Sequence, residues 1–140
     1  MPRFGKKSLE LREYLCKDLK RLVDETIKVY DFSIVDTFRG KEDQEYAFLI
    51  KASKAHFGES AHNYHPCFAV DVWPYPCPRK MDKGLSVIDD DSPEWKKMTD
   101  TFKKVAKKLG IQISCGIDFK SLRDCPHIEV SGWKKKVKEI

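Results

Sequence analysis

The chain lacks any apolar run near the roughly 18–20 residues that a membrane helix needs, and it lacks an apolar stretch behind its first residues. Met1-Pro2-Arg3-Phe4-Gly5-Lys6-Lys7 leads into charged sequence instead. The expectation is a protein with no membrane span and no signal peptide, kept in the cytoplasm unless something releases it. No C-x-x-C pair occurs among Cys16, Cys67, Cys77, Cys115 and Cys125. An odd set without such pairs argues against a disulfide framework and a four-cysteine zinc knuckle, so the cysteines are read as reduced thiols. Internal repeats, low-complexity tracts and interdomain linkers are missing too. At 140 residues one domain over 1–140 is expected, with enough chain for a hydrophobic core.

What is present fits a soluble globular chain, with 41% hydrophobic and 35% charged residues. The net charge of +5 comes largely from lysines in 96–108 and 134–138. Such a balance favours anionic partners, but no recognised nucleic-acid motif accompanies it. The lysines of 96–108 also fall opposite Trp95, Met98, Phe102, Val105 and Leu109, where the solvated face of a helix belongs.

Residues 8–30 read as one amphipathic helix, with Leu11, Leu15, Leu19, Leu22 and Thr26 at spacings of three and four. Residues 32–38 are rich enough in β-branched and aromatic side chains for a strand. A second helix is expected over 41–53, carrying Tyr46, Phe48, Leu49 and Ile50. Residues 74–91, with Pro74, Pro76, Pro78 and Gly84, read as a long irregular segment that could wall a cleft or be disordered. Ser92 and Pro93 start a helix and Gly110 stops it. A strand at 111–115, a loop at 116–123, a final strand with its leading turn at 124–131, and a short basic tail at 133–140 complete the chain.

The chemistry concentrates in two stretches. In 67–74, alternation puts Phe68, Val70 and Val72 on one strand face and Ala69, Asp71 and Trp73 on the other. A mid-strand carboxylate is costly to bury without a cation or several donors. His62, nearby in sequence, and His127, in the segment 124–130, could join it around a metal. Two imidazoles and one carboxylate would leave a fourth zinc position open, as catalytic sites do. In the run His127-Ile128-Glu129-Val130, Glu129 shares the face of His127, beside the ligands. Asp124 precedes His127 by three residues and suits a general base. Arg39, at a strand end, can grip a carboxylate bidentately. By spacing alone each histidine could equally be a core or surface residue, and Arg39 and Asp124 a surface cation and a turn residue.

Ser60-x-His62-Asn63-Tyr64-x-Pro66-x-x-Ala69-Val70-Asp71-Val72-x-Pro74-Tyr75, followed by Asp124-x-Pro126-His127-x-Glu129, resembles the signature of the zinc D-Ala-D-Ala carboxypeptidase / L-alanyl-D-glutamate endopeptidase family, especially its phage endolysin members. Phe4-Gly5-Lys6, Phe38-Arg39-Gly40-x-x-x-Gln44 and Cys115-Gly116-Ile117-Asp118-Phe119 extend the likeness over nearly the whole chain. The resemblance implies one zinc per chain on His62, Asp71 and His127, a catalytic base at Asp124 and a substrate-contacting Arg39. It also implies an α+β fold in which helices pack on a small, mainly antiparallel sheet holding the zinc in a groove. Pro66 and Cys67 stand where many members have a single glycine, and a shifted alignment would make His65 the ligand.

The function so implied is a zinc peptidase cutting the peptide stem of bacterial peptidoglycan, with L-Ala-D-Glu endopeptidase first and D-Ala-D-Ala carboxypeptidase second. A non-catalytic zinc module of the same fold is the third reading. The first predicts a monomer without a separate cell-wall-binding domain, binding neither nucleic acid nor membrane, and released to the wall through a membrane pore.

Overall fold

A computed structural model describes residues 2–138. Its centre is a four-stranded antiparallel sheet in the order β1 (Phe32–Asp36), β2 (Ala69–Pro74), β6 (His127–Val130), β5 (Ile113–Cys115). Helices α1 (Lys6–Arg12), α2 (Lys17–Thr26), α3 (Lys41–Leu49), α4 (Pro93–Leu109) and α5 (Trp133–Lys138) surround it. This is the α+β architecture that the motifs imply.

Alternation in the two central strands explains how one sheet carries both a core and a site. Val70, Val72, Ile128 and Val130 are buried with Leu19, Leu22 and Val23 of α2 and Trp95, Met98 and Phe102 of α4. Each such side chain contributes about 1.5–3 kcal/mol when fully buried. The opposite face carries Asp71, His127 and Glu129, so the hydrophobic layer holds the polar layer in register. Ser92 Oγ accepts from Glu94 N at 3.2 Å to cap α4, and Gly110 ends it at φ 74°.

Three expectations need correction. The single helix over 8–30 is two, because the intervening chain pairs with residue 67: Cys67 N donates to Tyr14 O at 2.8 Å and Cys16 N to Cys67 O at 3.0 Å. The leucine stripe is still buried, with Leu15 at 2% and Leu19 and Leu22 at 0% exposure. The segment 74–91 is not irregular throughout. It holds the hairpin β3 (Arg79–Asp82) and β4 (Leu85–Ile88), whose turn places Lys83 and Gly84 at φ 50° and 81°. Finally, the helix expected over 41–53 is Lys41–Leu49; Tyr46, Phe48, Leu49 and Ile50 are exposed, and Gln44 is its buried residue.

The tail forms α5 through Lys138, and the expectation for 139–140 lies outside the described residues. All five cysteines are free thiols. Among the described residues no helix is long and apolar enough to cross a membrane.

Candidate metal centre and cleft

Register brings the first two groups together. Asp71 of β2 and His127 of β6 are direct cross-strand partners, so their side chains leave the same face of the sheet side by side. The third arrives on a short 3-10 turn, Ala61–Asn63, pinned by a reciprocal cap. Ser60 Oγ accepts from His62 N at 3.2 Å, and Asn63 Oδ1 accepts from Ser60 N at 3.0 Å. Asn63 Nδ2 then donates to Arg39 O, and Arg39 N to His62 O at 2.7 Å, which sews this turn to the chain beyond β1.

His62 Nε2, His127 Nδ1 and Asp71 Oδ1 form a triangle with sides of 3.2, 3.2 and 3.3 Å. The outer ring nitrogens settle what these atoms offer. His62 Nδ1 lies 2.6 Å from the carbonyl of Thr37, and His127 Nε2 lies 2.7 Å from Glu129 Oε1. Both partners accept, so each ring places a proton outward and a neutral ring turns its lone pair inward. Two imidazole lone pairs and a carboxylate oxygen thus converge on one point. Tetrahedral zinc with bonds of about 2.0–2.2 Å would space its donor atoms about 3.3–3.6 Å apart, close to the triangle observed. The donor set therefore fits a metal ion, and it is the only group of this kind among the described residues.

Electrostatics point the same way. Burial works against the Asp71 carboxylate, yet attraction to His62 and hydrogen bonds from both histidines hold it well below the usual range. Burial also works against a proton on His127, yet hydrogen bonds to Asp71 and Glu129 push its pKa up to about 10. Both shifts have one meaning: the cluster stabilises positive charge, whether a proton or a metal brings it.

Asp124 and Arg39 line the same cavity of about 560 Å³ as the two histidines. Burial, and then the charge of Asp71, push the Asp124 carboxyl up, while His127, His62 and Arg39 oppose the shift. Its backbone is placed by Gly116, whose carbonyl accepts from Asp124 N at 2.9 Å. A Cβ at 116 would collide with the Asp124 carbonyl and stand 2.9 Å from His127 Cβ. Arg39 is shared between carboxylates, with NH2 2.9 Å from Asp36 Oδ2 and 4.0 Å from Asp71 Oδ2. Its NH1 donates to Gln44 Oε1 at 3.1 Å, and Gln44 Nε2 donates to Ser53 Oγ and Ala55 O in the loop that forms one cleft wall.

Two comparisons bear on this arrangement. A model of the phage L-alanyl-D-glutamate peptidase family matches residues 1–131. The chain belongs to that family. The L-alanyl-D-glutamate endopeptidase activity that the motifs favoured is therefore the activity of a phage peptidase family that this chain joins over most of its length. The crystal structure of the Serratia marcescens L-Ala D-Glu endopeptidase ChiX superposes with a TM-score of 0.73 at 20% identity, covering 96% of this chain and 94% of that one. At that identity the likeness carries the fold. No curated protein matches the chain.

The structure brings His62, Asp71, His127, Asp124, Arg39 and Glu129 into one cleft region. His65 is elsewhere, packed 5.2 Å from the Tyr14 ring and 6.1 Å from Phe38. The hairpin of 74–91 does not line the cleft. Instead 52–55, Phe119, Leu122 and Trp133 do. Sequence reading missed Thr37, which acts through a main-chain oxygen and leaves no side-chain signature. It also missed Trp133, which looked like the start of a solvated tail yet is 8% exposed and packs 5.8 Å from Tyr64.

Proposed function

We propose that this peptidase is a single-domain, zinc-dependent L-Ala-D-Glu endopeptidase with one zinc on His62 Nε2, Asp71 Oδ1 and His127 Nδ1. The observation that carries the reading is the triangle of inward-facing donors at 3.2–3.3 Å, with each ring's outer nitrogen committed to an acceptor. Two imidazoles and a carboxylate are a donor set suited to catalytic zinc. Bound there, zinc would supply Lewis acidity and would make a water more acidic.

The chain's own residues divide the remaining work. Asp124, its basicity raised by burial, takes the proton of the attacking water and returns it to the departing amine of D-Glu. The Arg39 guanidinium steadies Asp71 and offers positive charge to the oxygen of the scissile carbonyl as charge builds there. Glu129 holds the His127 ring in its orientation through the Nε2 proton. The substrate is the peptide stem of peptidoglycan, reached as a monomer after release from the cytoplasm through a membrane pore, with no role for nucleic acid or membrane binding.

The test is hydrolysis of purified peptidoglycan before and after chelation. Activity should vanish in chelator and return with one equivalent of zinc, and His62→Ala, Asp71→Ala and His127→Ala should each lower the zinc content. Full hydrolysis by chelated protein would refute the zinc assignment.

A further inference from the structure

Among the described residues three cationic side chains line the cleft, and only one of them pairs with carboxylates. Arg39 sits between Asp36 and Asp71. Lys54, in the loop behind α3, donates to the hydroxyl of Ser121, bridging two segments of the cleft wall. Lys134, in the first turn of α5, stands 5.8 Å over the Trp133 ring. Neither ammonium pairs with a carboxylate among the described residues. The nearby acids are engaged otherwise: Glu59 accepts from His56 N at 2.7 Å, Glu129 from His127, and Asp124 faces the metal-ligating groups. Two ammonium groups on neutral partners at the wall of one cavity make it attractive to an anion.

The chemistry of the scissile bond says which anion arrives there. In the stem peptide, D-Glu continues through its γ-carboxyl, so its α-carboxylate stays free on the carbon that bears the scissile nitrogen. Cleavage of that bond brings this charge into the cleft. In walls whose stems are amidated at that carbon, a neutral carboxamide takes its place. We infer that Lys54 and Lys134 form a subsite for the D-Glu α-carboxylate and make the enzyme selective for unamidated stems. The inference rests on the endopeptidase reading above. Arg39 is shared with Asp36 and Asp71 and assigned to the scissile carbonyl, so the carboxylate falls to the two lysines.

Each exposed ion pair changes affinity only a few-fold, so two together should discriminate by roughly three- to tenfold. The experiment compares kcat/KM of the zinc-loaded full chain on two synthetic tetrapeptides that differ only in D-Glu or D-isoglutamine at the second position. The wild type should favour the carboxylate peptide by roughly three- to tenfold, chiefly through KM, and added salt should narrow the ratio. Lys54→Met with Lys134→Met should bring it within about twofold of unity, with zinc content and thermal midpoint checked on the same sample. Equal rates on both peptides, or an unchanged ratio in the double variant, would overturn the subsite and leave the endopeptidase standing. Cleavage of neither peptide would overturn both.

Discussion

Glu129 Oε1 lies 2.7 Å from His127 Nε2, two residues apart on one face of β6, so a single strand supplies one imidazole of the donor triangle and the carboxylate that its outer nitrogen meets. Glu129→Ala should therefore weaken zinc binding by about 10–100-fold, while the thermal midpoint of the metal-free protein changes little. Competition against a chromogenic chelator measures this. Unchanged zinc affinity would reduce Glu129 to a bystander.

Asp124→Asn keeps the size and shape of the side chain but removes the proposed base. Zinc and thermal midpoint should persist while kcat drops by about 10²–10⁴-fold, with a much smaller change in KM. If Asp124 were only a turn residue, the same variant would lose stability and keep near-normal turnover. Wild-type rates with full zinc would move the base to Glu129.

Gly116→Ala tests how Asp124 is positioned. The added methyl meets the Asp124 carbonyl and the Cβ of His127, both backbone-borne and unable to swing away. Overpacking of this kind costs about 1–3 kcal/mol, and the relief route moves Asp124 and His127 together. Lower stability accompanied by reduced turnover is expected, and calorimetry beside kinetics checks it. Normal values for both would show that the close approach has no functional weight.

A clip between α3 and the chain just beyond the cleft-wall residues 52–55 should respond to pH. His56 Nδ1 lies 2.9 Å from Glu45 Oε2, and Glu45 Oε1 accepts from Phe57 N at 2.9 Å. The hydrogen bond to Glu45 raises the His56 pKa, opposed by slight desolvation. The bond to Phe57 N, and then that to His56, lowers Glu45. The raised histidine contributes fully below its unfolded value near 6.5 and loses its contribution as pH rises through the folded value. The lowered carboxylate contributes above its unfolded value and loses its contribution only in acid. Hydrogen exchange at the Phe57 amide, corrected for intrinsic rates, should speed up above neutrality, and Glu45→Gln should abolish that dependence. A flat profile in the wild type would rule out the clip.

How much of this was legible depends on the range of the interactions. The faces of β2 and β6 could be read from alternation, since the side chains beside Asp71 and His127 are set by a period of two. The break near Leu15 could not, because its cause is a backbone pairing with Cys67 far along the chain. Local periodicity predicts which leucines are buried, not whether the helix is continuous. The β3–β4 hairpin was hidden by three prolines upstream, although the Lys83-Gly84 pair carried the turn signal. Helix α3 could be read as a helix but not for what holds it: its apolar residues are exposed, and Gln44 anchors it through four hydrogen bonds to Arg39, Asn63, Ser53 and Ala55. An amide that organises a cleft has no hydrophobic period to betray it.

The most direct test of the central claim is the mass and end-group analysis of products from zinc-loaded protein and a defined L-Ala-γ-D-Glu stem tetrapeptide. Release of free L-Ala together with a tripeptide bearing a new amino terminus on D-Glu is the expected result. Release of the terminal D-Ala from an otherwise intact stem, or an uncut peptide at full zinc occupancy, would contradict it.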